Sequence, residues 1–354
     1  AETVETGCRA AVAGGFTSVA AMPNTDPVND NPATVGYLIR MAIQAHSARV
    51  YPVGAITRGQ AGENMSAMGE MIEEGAVAFS DDGKCVASSE LMRKALLYSR
   101  IFDVPIIDHA EDSVLTGSGV MNAGLVSTRL GLAGISVETE EIMVYRDCAL
   151  ARLTGARLHL AHVSCSRSVE VLKRFKAEGA KVTAEATPHH ISLTEEEVEG
   201  YNTNAKMAPP LRTAEDVDAL KKALADGTID CIASDHAPHH YDLKETAFAD
   251  APNGVIGLET SLPVCYMELV EGGVLDLAGL IVRMSVAPAG ILGVPGGSLA
   301  KGDLADITVL DLDTRYRIDK EEFCSKSRNT PFHGRQVVGR AVATVVGGRV
   351  VWRR

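Results

Sequence analysis

Seven short apolar runs, each ending in polar or titratable residues, alternate with helix-like segments along most of this chain. In the most informative run, residues 230–239, a buried-strand pattern ends abruptly in Asp235, His236, Pro238 and His239. Proline stops further sheet pairing, so these polar side chains lie at a strand end. The seven runs occupy residues 18–22, 49–56, 76–80, 104–107, 157–161, 181–186 and 230–234.

The spacing of the strand ends predicts a barrel. Asn24, Thr57, Asp82 and His109 follow one another at intervals of about 25 to 33 residues, the length of a strand, a crossover helix and two loops. Such alternation predicts a parallel sheet covered by helices. We therefore predict an α/β fold of the TIM-type (β/α)8 barrel class. A closed barrel has eight strands and only seven are counted, so we expect the first strand to precede the helix-like residues 3–13.

Two further helices have recognisable ends. Ser166 is predicted to cap a helix that buries Val169, Leu172 and Phe175, and Thr213 with Asp216 forms a predicted capping box. Residues 275–292 also have a helical pattern.

The last part of the chain has a different character. Residues 306–311, 337–338 and 341–352 are short β-rich runs separated by glycine and aspartate. We predict two domains: residues 1–290, a barrel lacking its first strand, and residues 291–354, a small β-rich accessory domain.

Charge and composition exclude several classes of partner. With a formal net charge of −12 and a pI near 5.3, the chain has no basic face for nucleic acid or an anionic membrane. It contains neither an apolar run of about 20 residues nor a signal-peptide pattern. Its seven scattered cysteines lack a Cys-x-x-Cys pair, which is typical of reduced core residues. We predict a cytoplasmic protein.

Period-2 alternation predicts that ligand-type residues end three inward-facing rows. Two imidazoles and carboxylates at one rim would form a nitrogen and oxygen site suited to zinc or a similar divalent ion. The spacing alone does not choose between Asp81 and Asp82. The three rows are Pro105, Ile107 and His109; Leu158, Leu160 and His162; and Cys231, Ala233 and Asp235.

Other histidines fit a structural role. His159 alternates away from His162 and is interpreted as a satisfied barrel-wall residue. His189 and His190 are interpreted as residues that support the site from behind, since imidazole ligands need oriented partners. His236 is predicted to support the turn at Asp235.

Eight motifs spread over essentially the whole chain resemble those of class I dihydroorotases in the amidohydrolase superfamily. The most specific are Asp235-His236-Ala237-Pro238-His239 and Met22-Pro23-Asn24-Thr25, because allantoinases and hydantoinases usually differ there. The motifs lie at residues 22–25, 79–83, 108–112, 162–164, 187–190, 234–239, 257–260 and 327–331.

The resemblance implies a dizinc site. In this family Asp82 would bridge two zinc ions, and His109 and His162 would bind the second ion. Asp235 would bind the first ion and act as general base.

The resemblance also implies substrate contacts and a reaction. Asn24 and His239 would hold the substrate carboxylate and ring, and Asn253 and Gly254 would offer backbone hydrogen bonds. The implied reaction is the reversible hydrolysis of dihydroorotate to N-carbamoyl-aspartate in pyrimidine biosynthesis. The substrate is a small molecule, and the implied assembly is a homo-oligomer, with aspartate carbamoyltransferase as a candidate partner.

Two departures from the family pattern affect these expectations. The His-x-His pair of the first strand and the substrate-binding arginine that follows it are absent from this sequence, so we expect an incomplete chain that holds one ion and hydrolyses weakly or not at all. Ala208 stands where the family often has a substrate-contacting asparagine.

Two alternatives remain open at this stage. One is another cyclic-amide hydrolase, an allantoinase or hydantoinase. The other is a catalytically silent dihydroorotase-like partner of aspartate carbamoyltransferase, against which stand the retained Asp82, His109, His162 and Asp235.

Overall fold

A computed structural model describes residues 2–354 and contains a parallel sheet of seven strands. The order β1-β2-β3-β4-β7-β8-β9 matches the seven runs predicted from the sequence, and every neighbouring pair is parallel. This is the curled sheet of a TIM-type barrel, as predicted. The strands are β1 Ser18–Ala21, β2 Arg49–Gly54, β3 Ala78–Ser80, β4 Ile106–Asp108, β5 Met121–Asn122, β6 Gly134–Ile135, β7 Leu158–Leu160, β8 Val182–Ala186, β9 Cys231–Ile232, β10 Ile307–Asp311, β11 Tyr316–Arg317, β12 Gln336–Val337, β13 Arg340–Val346 and β14 Arg349–Arg353.

Helices connect these strands. Two of them continue with π geometry, α11 into Tyr266–Glu271 and α12 into Val282–Val286. Short 3-10 turns occupy Arg58–Gln60, Arg100–Phe102, Glu195–Tyr201, Thr203–Ala205 and Lys320–Glu322. The α-helices are α1 Val4–Ala13, α2 Pro32–Ala45, α3 Met68–Glu74, α4 Ser89–Ser99, α5 Ser113–Thr116, α6 Leu125–Leu130, α7 Glu138–Thr154, α8 Ser166–Ala177, α9 Ala214–Asp226, α10 Tyr241–Lys244, α11 Ser261–Cys265, α12 Leu277–Ile281 and α13 Ala287–Leu292.

The helix ends confirm one capping prediction and correct another. Thr213 and Asp216 form the predicted capping box of α9, and Asp216 also accepts the backbone N–H of Ser166 at 2.9 Å. Ser166 is the first residue of α8 rather than its cap, because the N-cap position belongs to Cys165, which makes no side-chain capping bond. One carboxylate therefore joins the starts of α8 and α9.

The two faces of the sheet carry different cores. Leu158 and Leu160 belong to the large core with Phe175 of α8, whereas Ile107 and Ala161 pack with one another in a separate small cluster that also contains Val53 and Ala78. Leu158 and Leu160 therefore face the helices, and the inward row predicted for β7 is wrong. His159 and Ala161 lie on the inner face instead.

Two long connections hold the extra segments that the sequence required. Between β4 and β7 the chain inserts α5, the short parallel pair β5–β6, α6 and α7. Between β8 and β9 it inserts two 3-10 turns and α9. The buried side chain of Arg212 joins these insertions, donating to Asn122 Oδ1 at 2.8 Å and to the Ile135 carbonyl at 3.0 Å.

The last part of the chain is β-rich, as predicted. Strands β10, β13 and β14 form an antiparallel sheet, and β11 pairs with β12. The sheet packs on α1, where the Thr344 hydroxyl donates to the Val12 carbonyl at 2.7 Å. The division into residues 1–290 and 291–354 stays a prediction.

Within residues 2–354, no helix combines the length and apolar character that crossing a membrane would require.

Candidate active site

Three consecutive barrel strands bring Asp82, His109 and His162 together. Asp82 follows β3, His109 follows β4 and His162 follows β7. One ligand atom from each side chain lies within 4.8 Å of the other two. The carboxyl ends of neighbouring parallel strands share one rim of a barrel, which is why residues so distant in sequence converge.

Hydrogen bonds orient the two imidazoles. His109 Nε2 lies 2.9 Å from Glu111 Oε2, and His109 Nδ1 lies 2.8 Å from His162 Nε2. The Glu111 carboxylate also accepts the Thr116 hydroxyl. A carboxylate accepts a proton on Nε2, so the lone pair of His109 Nδ1 points toward His162.

The structure separates the two adjacent aspartates. Asp81 is buried and accepts both the backbone N–H and the hydroxyl of Thr57. Asp82 instead lies 3.7 Å from His162 Nε2 and accepts the side-chain amide of Asn24 at 3.1 Å. Asp82 is therefore the candidate ligand, and Asp81 braces the loop after β2.

The electrostatics of the site favour an ionised Asp82 with a positive charge beside it. Burial opposes ionisation of Asp82, but the nearby His162, 3.7 Å away, and the charge of His109 lower its pKa. Burial likewise opposes protonation of His162, but Asp82 and the charge of Asp235 raise the pKa of that imidazole to about 9. Two imidazoles and a carboxylate arranged in this way suit a divalent cation.

Asp235 lies close to this group but outside the 4.8 Å set. Its nearest titratable partner is His189, whose Nε2 lies 3.5 Å from Asp235 Oδ2 and has no hydrogen-bond partner within residues 2–354. Burial raises the pKa of Asp235 to about 6, against the lowering effect of His162 and with further raising by the negative charge of Asp82. A carboxylate with that pKa can both take and release a proton near neutrality.

Two site residues have left-handed backbone conformations. The φ angles are 34° at His162 and 45° at Asp235, a region that non-glycine residues seldom adopt. The turn at His162 breaks the strict alternation of β7, which is how its imidazole reaches the site although Leu160 faces the helices. Strain of this kind is typical of functional sites.

The expected substrate-binding residues fall into two groups. Asn24 belongs to the Asp82 group. His239, Asn253 and Gly254 form the other, in which His239 Nε2 lies 2.7 Å from the Asn253 carbonyl. Gly254 has a φ of 116°, and a Cβ there would lie 2.5 Å from Ala237 Cβ, so only glycine fits. Its N–H donates to the Lys206 carbonyl at 2.9 Å, which engages one of the two expected backbone donors.

Sequence reasoning missed two residues that order the site. Glu111 lies in a motif that was noticed, two residues after His109, and this spacing was a usable signal. Asn329 accepts the His239 backbone N–H at 3.2 Å and donates to the carbonyls of Ala237 and Gly254 at 3.0 and 3.1 Å. Asn329 also lies in a motif that was noticed, at residues 327–331, but nothing in that motif indicates that its side chain reaches the His239 loop.

The remaining histidines have structural partners. His159 lies between Thr183 Oγ1 and Glu185 Oε2, at 2.8 and 3.0 Å. His190 contacts Thr187 Oγ1 and the Pro209 carbonyl.

His236 accepts the N–H of Gly257 at 3.1 Å, and its other ring nitrogen lies 3.1 Å from Glu2 Oε2. His236 therefore holds the segment after Val255. Its support of the Asp235 turn stays a prediction.

The fold and the site define a class: a TIM-type barrel with a candidate divalent-metal centre at the carboxyl ends of its strands. A family model described as "Dihydro-orotase-like" matches residues 1–168. The chain is 52% identical over 353 residues to a dihydroorotase of Pelobacter propionicus and 53% identical over 353 residues to one of Geobacter metallireducens. Each alignment covers 100% of this chain and 83% of the relative. The chain therefore belongs to the dihydroorotase family.

Solved structures agree on the fold. An L-hydantoinase (dihydropyrimidinase) from Arthrobacter aurescens matches with a TM-score of 0.88 and 27% identity, over 99% of this chain and 80% of the other. A D-hydantoinase from a Thermus species matches with a TM-score of 0.82 at 23% identity, a level that shows the fold alone. The hydantoinases are thus more distant from this chain than the dihydroorotases.

Proposed function

We propose that this protein is a metal-dependent dihydroorotase that interconverts dihydroorotate and N-carbamoyl-L-aspartate in pyrimidine biosynthesis. The observation that carries the proposal is the identity of 52–53% with dihydroorotases along the whole chain. The convergence of Asp82, His109 and His162 supplies the chemistry that such a hydrolase needs.

The donor set fits the metal that the family implies. Three ligand atoms already face one another at short range, and Glu111 fixes the tautomer of His109 that leaves its Nδ1 free to bind a cation. We propose zinc as the metal, held by Asp82, His109 and His162, because the site offers nitrogen and oxygen ligands without a thiolate. The two-ion centre of the family also uses a His-x-His pair, which this sequence does not contain.

Asp235 is the proposed general base. A bound divalent ion polarises an amide carbonyl and lowers the pKa of water. As the water oxygen bonds to the ring carbonyl carbon, its proton passes to the Asp235 carboxylate. Asp235 then delivers that proton to the ring nitrogen as the C–N bond breaks. Burial raises the pKa of Asp235, which favours its accepting a proton.

Asn24 and His239 are proposed to bind the substrate, with backbone support from Asn253 and Gly254. The substrate is an anion and the protein carries a net charge of −12, so local donors rather than the overall field must attract it. Ala208 presents only a methyl group, so we assign no side-chain contact there.

An assay with alternative substrates tests the proposal. The protein is treated with a chelator, reloaded with zinc and incubated separately with dihydroorotate, allantoin and hydantoin. We expect weak zinc-dependent turnover of dihydroorotate, since this sequence has no His-x-His pair, and rates at least about 100-fold lower with the other two. Preferred turnover of hydantoin or allantoin would favour the wider class of cyclic amidohydrolases. Zinc binding without turnover of any of the three, in a protein that also carries the family's His-x-His strand, would favour a silent partner.

Location and assembly are also proposed. We propose that the protein works in the cytoplasm, since its seven cysteines are free thiols, as is usual in a reducing compartment. A homo-oligomer is consistent with exposed apolar side chains on the outer helices, among them Ile101 and Leu153. Light scattering with and without aspartate carbamoyltransferase would test both kinds of association.

A further inference from the structure

Lys244 is a buried lysine in a helical turn that is otherwise mostly exposed. Its relative exposure is 5%, whereas Tyr241 and Leu243 in the same turn are 60% and 53% exposed. Burying an ammonium group is costly unless its N–H bonds are satisfied. The position of Lys244 therefore requires compensating contacts.

Three backbone carbonyls provide that compensation. The Lys244 ammonium donates to Pro252 O at 2.8 Å, to Thr203 O at 3.0 Å and to Lys206 O at 3.4 Å. The Thr203 hydroxyl in turn donates to the Lys244 carbonyl at 2.7 Å. The Lys244 side chain thus joins its own turn to two other segments, residues 203–206 and the loop at Pro252.

Within residues 2–354, the hydrogen-bond partners of the Lys244 ammonium are backbone carbonyls, and no carboxylate is among them. Burial, and then the nearby charge of Lys206, lower the pKa of Lys244 to about 7. Because the ammonium bonds only to neutral carbonyls, it does not stabilise the fold by charge pairing. Its effect is to hold those carbonyls in fixed positions. The geometry that it fixes is that of the loop at Pro252.

This loop leads directly into the proposed substrate contacts. Pro252 precedes Asn253 and Gly254, and the Lys206 carbonyl that accepts Lys244 also accepts the Gly254 N–H. On the other side of the loop, the Asn329 side chain holds the Gly254 carbonyl. Removing the Lys244 side chain would release the Pro252 carbonyl, while Gly254 would keep its bonds to Lys206 and Asn329.

We propose that Lys244 is a positioning residue for substrate binding, whose ammonium group holds the backbone of Pro252, Asn253 and Gly254 in the conformation that meets the substrate. This inference rests on the proposed function, since it assumes that Asn253 and Gly254 contact dihydroorotate. It adds a residue that does not itself touch the substrate.

The test compares Lys244→Met and Lys244→Arg with Lys173→Met, a matched control on the exposed face of α8. In the zinc-loaded protein, Lys244→Met is expected to raise KM for dihydroorotate about tenfold with kcat within about twofold, because loosened binding affects the ground and transition states alike. Lys244→Arg keeps N–H donors and should restore KM to within about threefold of wild type. Lys173→Met should match wild type.

Hydrogen exchange gives a readout independent of turnover. Backbone amides of residues 250–256 are expected to exchange at least about tenfold faster in Lys244→Met, with no change in the barrel strands. Values of KM and exchange within twofold of wild type would overturn the proposal.

Two outcomes need a separate test: a Lys244→Met variant that does not fold, and a wild-type protein that does not turn over dihydroorotate. If Lys244→Met does not fold, Lys244→Gln replaces the ammonium by a shorter amide donor; it should raise KM about threefold, and unchanged kinetics and exchange would refute the inference. If the wild-type protein does not turn over dihydroorotate, the proposed function fails, and the exchange comparison still decides whether Lys244 holds the loop.

Discussion

At the residue scale, the clearest contrast is between Asp81 and Asp82, neighbours of the same chemical type with different partners. Asp82→Asn is expected to weaken zinc binding more than tenfold, because it removes the anionic ligand from the His109 and His162 site. Asp81→Asn should retain zinc but lose about 1–3 kcal/mol of stability. The N–H and hydroxyl of Thr57 would no longer both have a buried carboxylate as acceptor. Metal analysis after dialysis, together with urea unfolding, measures both effects. Zinc loss in Asp81→Asn alone would reverse the assignment.

A second residue-scale prediction concerns His190 and acid stability. Burial lowers the pKa of His190 to about 3, although its contact with the Pro209 carbonyl raises it, while an unfolded histidine has a pKa near 6.5. The unfolded chain therefore binds the proton first, and stability is lost as the pH falls from about 6.5 toward 3. For one proton the slope approaches about 1.4 kcal/mol per pH unit.

Urea unfolding between pH 4.5 and 6.5 measures this slope. In His190→Asn the slope should fall by up to about 1.4 kcal/mol per pH unit, the value for one proton, because asparagine does not titrate. His46→Asn replaces an exposed histidine at the end of α2 and should keep the wild-type slope. Equal slopes in wild type and His190→Asn would show that another group controls acid stability.

At the element scale, the capping box of α9 makes hydrogen bonds within its own helix and to the neighbouring helix α8. The Thr213 hydroxyl accepts the Asp216 N–H, and Asp216 binds the start of α8. Thr213→Ala is expected to cost about 1–2 kcal/mol in the free energy of unfolding, the upper part of the range for an N-cap. Thr213→Ser should keep most of that stability. Chemical denaturation of the pair measures the difference, and a loss below about 0.3 kcal/mol in Thr213→Ala would contradict the assigned role.

At the scale of the whole molecule, the β-rich tail is joined to the barrel by polar as well as apolar contacts. Asp306 accepts Arg49 Nε at 2.7 Å and the Gly347 N–H at 2.6 Å. Asp306→Ala is expected to lower the free energy of unfolding by about 1–2 kcal/mol. This is less than two charged hydrogen bonds would contribute when fully buried, because the Arg49 side chain is one-third exposed and solvent screens it. Calorimetry measures the loss and the number of unfolding transitions.

The control for this prediction is Glu196→Ala, which removes an exposed ion pair with Arg129 and should cost less than about 0.5 kcal/mol. We expect one transition in wild type, because Thr344 and Val12 share a buried contact between tail and α1. Two transitions in wild type would support the predicted division near residue 290.

The sequence predicted the barrel strands well because each is a short apolar run with a polar end, and both signals are local. Alternation failed at β7, where it placed Leu160 and His162 on one inner face. The left-handed turn at His162 is imposed by the surrounding structure, so no two-residue period could reveal it. Motif resemblance indicated His162 without using the side-chain period, and the structure places His162 beside Asp82 and His109.

By itself, the sequence determined the order of strands and helices, the chemical types of residue at the strand ends and the family. It could do so because periodicity, capping and motifs are patterns of residues close together in the chain. The spacing left Asp81 and Asp82 open and the resemblance indicated Asp82, but only the tertiary structure brings Asp82 to the two histidines. Only the tertiary structure, too, brings Glu111, Asn329 and Lys244 into supporting roles. Those choices depend on distances between residues far apart in the chain, and chain folding sets such distances through packing and hydrogen bonding that no local pattern records.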